Sequence, residues 1–355
     1  MCAASLGVVP LSLASATSLG ALAAEKGLRL GASFSTGELD QAHGPSYARL
    51  YREHVHHITS ELELKLAVLA PRPGARDFDP ADRLFEYAER NGLAVRGHTL
   101  IWNDDVPDWV RALTKREVIQ LLDGHIAAVM ARYRGRVSSW DVVNEPIAPW
   151  DRQPGNLRNG PFLSALGVDY IARSFHAARA ADATAELVLN EAQTESADEN
   201  GQVFRDSLMG LLRDLKADGV PIDAIGLQAH LDSARPYDFP RFAGFIEEIA
   251  ALGYKVLVTE LDVNDRAFAN DIRERDAKVA EFYSAFLRSV LSVRAVTSVT
   301  FWQLADHTSW ITYQAREAAP AALRRPRPLP FDENFAPKRA FYAIVEALTA
   351  MPPRS

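Results

Sequence analysis

Residues 137–145 read Val137-Ser138-Ser139-Trp140-Asp141-Val142-Val143-Asn144-Glu145, a short β-rich run that ends in an amide and a carboxylate. Upstream, residues 115–133 carry apolar side chains at helical spacing, and downstream residues 168–181 do the same. A strand set between two helices is the signature of a parallel βα unit. Further runs of this kind lie at 28–34, 57–62, 94–102, 186–192, 224–231, 255–263 and 296–304. Helical stretches at 202–216 and 272–293 follow two of them, and one at 337–348 closes the series.

Eight such units predict a single-domain (β/α)8 TIM barrel, with a core of layered side chains and an active site where the strands end. A doubly wound open sheet is the competing arrangement. It would favour a Gly-rich dinucleotide loop after the first strand, and Gly31-Ala32-Ser33-Phe34-Ser35-Thr36-Gly37 lacks the G-x-G-x-x-G spacing. The 355-residue length suits a barrel as one unit. No Ser/Gly-rich or Pro-rich linker divides the chain, and the Pro/Arg cluster at 318–330 reads as a surface loop within the last βα connection.

The charge balance of 39 Lys and Arg against 46 Asp and Glu leaves −7, which offers no broad basic surface for nucleic acid or anionic lipid. One cysteine, Cys2, excludes an internal disulfide and any Cys-based zinc cluster. Residues 8–24 are apolar and small, and Ala21-Leu22-Ala23-Ala24-Glu25 resembles a signal-peptidase site, although no Lys or Arg precedes the run. The expected division is a signal-like segment at 1–24 and a catalytic domain at 25–355, with export to the periplasm or the exterior. That division leaves no residues for a separate carbohydrate-binding module.

Catalytic groups of a barrel gather at the C-terminal ends of its strands. There the sequence offers Glu61, then His98 and Trp102, then Asn144 and Glu145, then Gln228 and His230, then Glu260 and Asp262, and last Trp302 with Trp310 in the following loop. Two carboxylates beside tryptophans that stack on sugar rings and amides that bond hydroxyls fit glycosidic cleavage. Glu145 and Glu260 form the natural pair: one must be protonated to donate to the leaving oxygen and the other ionised to attack. Asn144 can bond a sugar hydroxyl, and His230 can hold Glu260 oriented and charged.

These residues resemble glycoside hydrolase family 10, whose best-known members are retaining endo-β-1,4-xylanases. The matching stretches are Arg96-Gly97-His98-Thr99-Leu100-Ile101-Trp102, Trp140-Asp141-Val142-Val143-Asn144-Glu145, Gly226-Leu227-Gln228-Ala229-His230, Thr259-Glu260-Leu261-Asp262, and Phe331-Asp332 with Pro337-Lys338. The resemblance implies that Glu145 is the acid/base and Glu260 the nucleophile, with His230 as its partner. It implies that Glu61, Lys65, His98, Asn144, Gln228, Trp302 and Trp310 contact the sugars on the glycone side. Trp102 joins them as a ring at the mouth. The expected partner is a polysaccharide, xylan or a related β-glycan, with no metal, no cofactor, no nucleic acid and no membrane, and the chain is expected to act as a monomer.

Departures from the family pattern fall on substrate contacts. Where the family usually reads Glu-Asn-x-Met-Lys-Trp, this chain has Glu61-Leu62-Glu63-Leu64-Lys65-Leu66. Asn103 stands where His commonly follows the tryptophan, Pro146 follows the acid/base position, and Ala192 occupies the place of an aglycone-side Tyr. A hydroxyl that loses its amide partner binds less well, so a bacterial exopolysaccharide or another β-glycan is the alternative substrate. Two other readings compete. His98, His230, Glu260 and Asp262 contain enough ligands for a metallohydrolase, and an aromatic mouth without turnover would make a carbohydrate-binding barrel. His54, His56 and His57 look like a metal cluster but straddle a helix end and a strand start, where core or surface roles are the expectation.

Overall fold

A computed structural model describes residues 18–319 and 324–354. Eight parallel strands form the barrel: β1 (Arg29–Phe34), β2 (His57–Ser60), β3 (Ala94–Gly97), β4 (Val137–Asn144), β5 (Glu186–Glu191), β6 (Ala224–Leu227), β7 (Lys255–Asn264) and β8 (Val296–Phe301). Each pairs with the next, and β8 closes on β1 in the register Arg29 to Ser298 through Ala32 to Phe301. The expected runs at 94–102 and 224–231 are each interrupted. Ile101–Trp102 resumes alongside β4, and His230–Asp232 resumes alongside β7.

Strand alternation sorts side chains between two cores. In β5, Leu187 and Leu189 join the large core between sheet and helices, whereas Val188 faces inward and clusters with Ala224 and Leu257. Higher in the barrel the interior turns polar. Arg96 and Asp141, both buried, form a two-point ion pair, with one contact of 2.7 Å from Nη1 to Oδ2. Neutralising both charges in place is what makes their burial tolerable.

Capping fixes where several helices begin. Thr114 and Glu117 form a reciprocal capping box at the start of Lys115–Arg132. Asp198 caps Glu199–Ala217, Asp238 caps Phe239–Ala251 and Asp271 caps Ile272–Val290, each accepting a backbone N–H three residues on.

Two expectations need correction. Residues 1–17 of the signal-like segment lie outside the described residues, but Leu19–Glu25 is a helix whose Leu19 and Ala23 are fully buried. Ser18 caps that helix and donates to the Glu53 carbonyl at 2.5 Å, while the Arg354 N–H donates to the Lys26 carbonyl at 2.6 Å. The folded unit therefore already includes residues ahead of position 25. The Pro/Arg cluster is likewise not all surface. Residues 320–323 lie outside the described residues, but 326–330 are buried, with Arg327 neutralised by Asp276 at 2.7 and 2.9 Å and by Glu333 at 2.9 Å. Beside it, buried Lys338 grips Asp306 at 2.8 and 3.0 Å and donates to the Arg327 carbonyl at 2.9 Å. This pins the loop after β8.

Close packing inside the barrel fixes Gly97, where an added Cβ would lie 2.1 Å from the Trp140 ring. Gly210, inside Glu199–Ala217, has nothing within 4 Å of the same point. Gly97→Ala should therefore cost upwards of about 1–3 kcal/mol by overpacking, while Gly210→Ala should gain about 0.5–1 kcal/mol from helix propensity. Denaturant unfolding of the two variants checks this, and equal midpoints would contradict it.

Candidate active site

Glu260 lies within β7 and Asn190 within β5, and the Asn190 amide ties the two strands together. Its Nδ2 donates to Glu260 Oε1 at 2.8 Å and to Asn144 Oδ1 at 2.9 Å, while its Oδ1 accepts from Thr259 Oγ1 at 2.7 Å. The second Glu260 oxygen faces His230 Nε2 at 3.2 Å, and His230 Nδ1 lies 3.0 Å from Asp262 Oδ1. Burial alone would raise the Glu260 carboxyl. The His230 hydrogen bond, the His98 and His230 charges and the Asn190 amide outweigh it and bring the carboxyl down to about 2. For His230, burial opposes charge, but Asp262 and Glu260 together push its value well above the usual imidazole range. The arrangement is a partly exposed imidazolium between two buried carboxylates.

Glu145 follows β4 with φ 46°, in the left-handed region that non-glycine residues seldom occupy outside constrained sites. Its N–H donates to the Asn190 carbonyl at 2.8 Å, which fixes the turn. Gln228 Nε2 donates to Oε1 at 2.9 Å and Arg158 Nη2 to Oε2 at 2.9 Å, while Arg158 Nε reaches the Glu145 carbonyl at 2.8 Å. Gln228 is tied in turn to Glu260, whose N–H donates to the Gln228 carbonyl at 2.9 Å. The two carboxylates thus share a frame made of Asn190 and Gln228. Beside Glu145, the buried Glu191 accepts from the N–H groups of Ile147 and Ala192. Burial first, and the neighbouring Glu145 second, push the Glu191 carboxyl well up.

Around Glu260 the aromatic groups form a wall. Trp302 meets His98 edge-on at 5.4 Å and His230 at 6.1 Å, and Trp310 meets His230 at 5.2 Å. Trp310 Nε1 donates to Asp262 Oδ2 at 2.6 Å, and His98 Nδ1 contacts Asp141 Oδ2 at 2.8 Å. Lys65 Nζ stands 5.2 Å from the Trp102 ring centre, and the buried Trp102 Nε1 has no hydrogen-bond partner among the described residues. Glu61 accepts from Gln303 Nε2, and removal from water lifts its carboxyl to about 7 against the pull of that bond. Leu62 is exposed next to it.

All the site residues expected from the sequence lie at or near this mouth. His54 and His57 do not. His54 packs on Phe331 at 5.0 Å, His57 Nε2 contacts Thr300 Oγ1 at 2.9 Å, and burial lowers their values to about 4 and about 3. Among the described residues no group of three or more His, Asp, Glu or Cys is disposed to hold a metal ion. His230 has a carboxylate oxygen within 3.2 Å of Nε2 and another within 3.0 Å of Nδ1. Three residues that hold the site's carboxylates were not anticipated. Asn190 carried a legible signal, a polar residue near the end of an apolar strand run. Arg158 lies in a loop without periodicity, and Gln303 falls within the expected run 296–304 but beyond the end of β8 at Phe301, where φ 74° brings its side chain to Tyr51, at 2.8 Å, and to Glu61.

Residues 18–347 match the model of Glycosyl hydrolase family 10. The chain is 36% identical over 310 residues to a beta-1,4-xylanase of Dictyoglomus thermophilum, covering 84% of each protein. It is 33% identical to a thermostable celloxylanase of Thermoclostridium stercorarium, covering 84% of this chain and 80% of that one. Its fold matches the crystal structure of xylanase 10B from Thermotoga petrophila in complex with xylobiose, with a TM-score of 0.83, 29% identity and coverage of 94% and 97%.

The His230 cluster yields a titration test. A depressed carboxylate such as Glu260 adds stability above its ordinary value of 4.5, and this is lost as pH falls toward about 2. A raised imidazole such as His230 adds stability below its ordinary value of 6.5, and this declines as pH climbs toward the raised value. Substituting His230→Gln should move the Glu260 carboxyl up toward 4.5. Carbon-13 NMR of the glutamate carboxyls, assigned with Glu260→Gln, reads the shift, and an unchanged Glu260 titration would refute the role given to His230.

Proposed function

The chain belongs to glycosyl hydrolase family 10, and we propose that it cuts the β-1,4-linked backbone of xylan internally, with retention of configuration. In the first step Glu145 gives its proton to the glycosidic oxygen as the bond to the anomeric carbon breaks. Glu260 attacks that carbon to form a covalent glycosyl ester. In the second step water attacks the same carbon, Glu145 takes the water proton, and Glu260 leaves as a carboxylate. The observation that carries this reading is the placing of the two carboxylates on one frame. Glu260 is buried yet held ionised by His230 and Asn190, as an attacking group must be.

The remaining groups suit a sugar chain lying across the mouth. On the glycone side, Glu61, Lys65, His98, Asn144 and Gln228 supply hydrogen bonds, while Trp102, Trp302 and Trp310 supply apolar faces. Exposed Leu62 takes the place of an amide donor, which weakens the hold on a sugar hydroxyl. Export rests on the small apolar residues near the start of the chain. A leader peptide would have to be cut ahead of Ser18, because Leu19 and Ala23 are packed in the core.

On xylan, Glu260→Gln should abolish measurable turnover, and Glu145→Ala should lower kcat/KM by about 10²–10⁴-fold. Both variants should remain folded, with the far-ultraviolet circular dichroism of the wild type, and a chelator should leave the wild-type rate unchanged. New reducing ends, measured against xylan, glucuronoxylan, cellulose, mixed-linkage glucan and bacterial exopolysaccharides, check the reaction. Silence on xylan with cleavage of another polymer would move the substrate, and full activity of Glu260→Gln would refute the mechanism. Leu62→Asn should lower KM for short xylo-oligosaccharides several-fold, and an unchanged KM would show that no sugar hydroxyl reaches position 62.

A further inference from the structure

Trp150 has the most exposed large apolar side chain among the described residues, at 57%, and it lies five residues after the carboxylate given the acid/base role. It belongs to a short 3-10 turn, Pro149–Asp151, in the loop that follows Glu145. That loop is pinned at its base. Ile147 bridges Leu157, the Ala148 N–H donates to the Asn156 carbonyl at 2.8 Å, and the Arg158 N–H donates to the Pro146 carbonyl at 2.7 Å. The indole is also held from two sides. The Arg158 guanidinium lies 5.6 Å from its ring centre, and the buried Phe204 ring lies 5.7 Å away. A tryptophan so fixed, yet left more than half in water, forgoes the apolar burial that its size would otherwise bring.

Its place in the barrel identifies what it can hold. Arg158 links Trp150 to Glu145 through its 2.9 Å contact with Oε2, so the indole sits one side chain beyond the group that protonates the leaving oxygen. Two of the glycone-side rings, Trp302 and Trp310, come from the far side of the mouth, after β8, whereas Trp150 follows β4 and abuts the helix after β5. Sugar rings present flat C–H faces that pack on indole, and the part of the chain that crosses the β4 and β5 loops is the leaving part. We propose that Trp150 is a stacking platform for a sugar of the leaving chain, beyond the one whose bond is cut. The side chain of Ala192, at the end of β5, is too small to serve that purpose. This inference rests on the glycanase reading and on Glu145 as acid/base.

The test compares two substrates with the wild type, Trp150→Ala and Trp150→Phe. One is 4-nitrophenyl β-xylobioside, whose leaving group is a single aryl ring, and the other is xylohexaose. For Trp150→Ala the platform predicts a fall in kcat/KM on xylohexaose of on the order of tenfold, a shift of the preferred cleavage position, and a rate on the aryl glycoside within about twofold of wild type. Trp150→Phe should recover most of the loss. No change on xylohexaose would overturn the proposal, and so would an equal loss on both substrates, which would mean that Trp150 acts through Arg158. A wild type silent on both substrates would contradict the glycanase reading instead. The platform would then be judged by titrating wild type and Trp150→Ala with xylohexaose, where tighter wild-type binding supports it and equal or absent binding overturns it.

Discussion

An imidazolium held between two buried carboxylates governs this site. His230 faces Glu260 at 3.2 Å and Asp262 at 3.0 Å, and each member explains the others. Without His230 the buried Glu260 would hold its proton to higher pH, and without Asp262 the partly exposed His230 would lose its proton more readily. The cluster leaves Glu260 with one oxygen on a cation and the other on the Asn190 amide, ionised but oriented. A carboxylate in water has the charge without the orientation, and a carboxylate in an apolar pocket has neither.

The barrel supplies the geometry that this interaction needs. Asn190, Asn144, Gln228 and Glu260 come from four neighbouring strands and meet because parallel strands deliver their ends to one mouth. The same logic runs one layer deeper. Arg96 and Asp141 neutralise each other beneath the mouth, and Asp141 also holds His98, whose ring carries Trp302. The buried Lys338 and Asp306 pair fixes the loop that brings Trp310 onto His230. The polar interior therefore positions catalytic and aromatic groups at once, and these two pairs each neutralise a cation with a carboxylate.

The sequence was most informative where periodicity and chemistry coincide. The eight strands follow from β-rich runs set between helical spacings, and the mouth residues follow from their place at the run ends. What escaped has a physical reason in each case. Arg158 reaches the site from a loop, where no repeat marks a side chain's direction, and Gln303, inside the expected run 296–304, turns out of the strand through a positive φ that its residue type seldom adopts. The small apolar residues of a leader end and of a packed helix look alike, which is why residues 19–24 read as signal-like although they belong to the folded unit. The 326–330 segment read as surface because its arginine is charged, and the partners that neutralise it, Asp276 and Glu333, lie on other elements or further along the chain.

The central claim is that Glu260 forms a covalent bond to the sugar. The most direct measurement is peptide mapping by mass spectrometry after treatment with an activated 2-deoxy-2-fluoro-xylobioside, which slows release of the glycosyl enzyme. The account predicts one added fluoroxylobiosyl group, on the peptide that contains Glu260 and on that side chain. A label on Glu145 or another residue, or time-dependent turnover of the reagent through a product of inverted configuration, would contradict it.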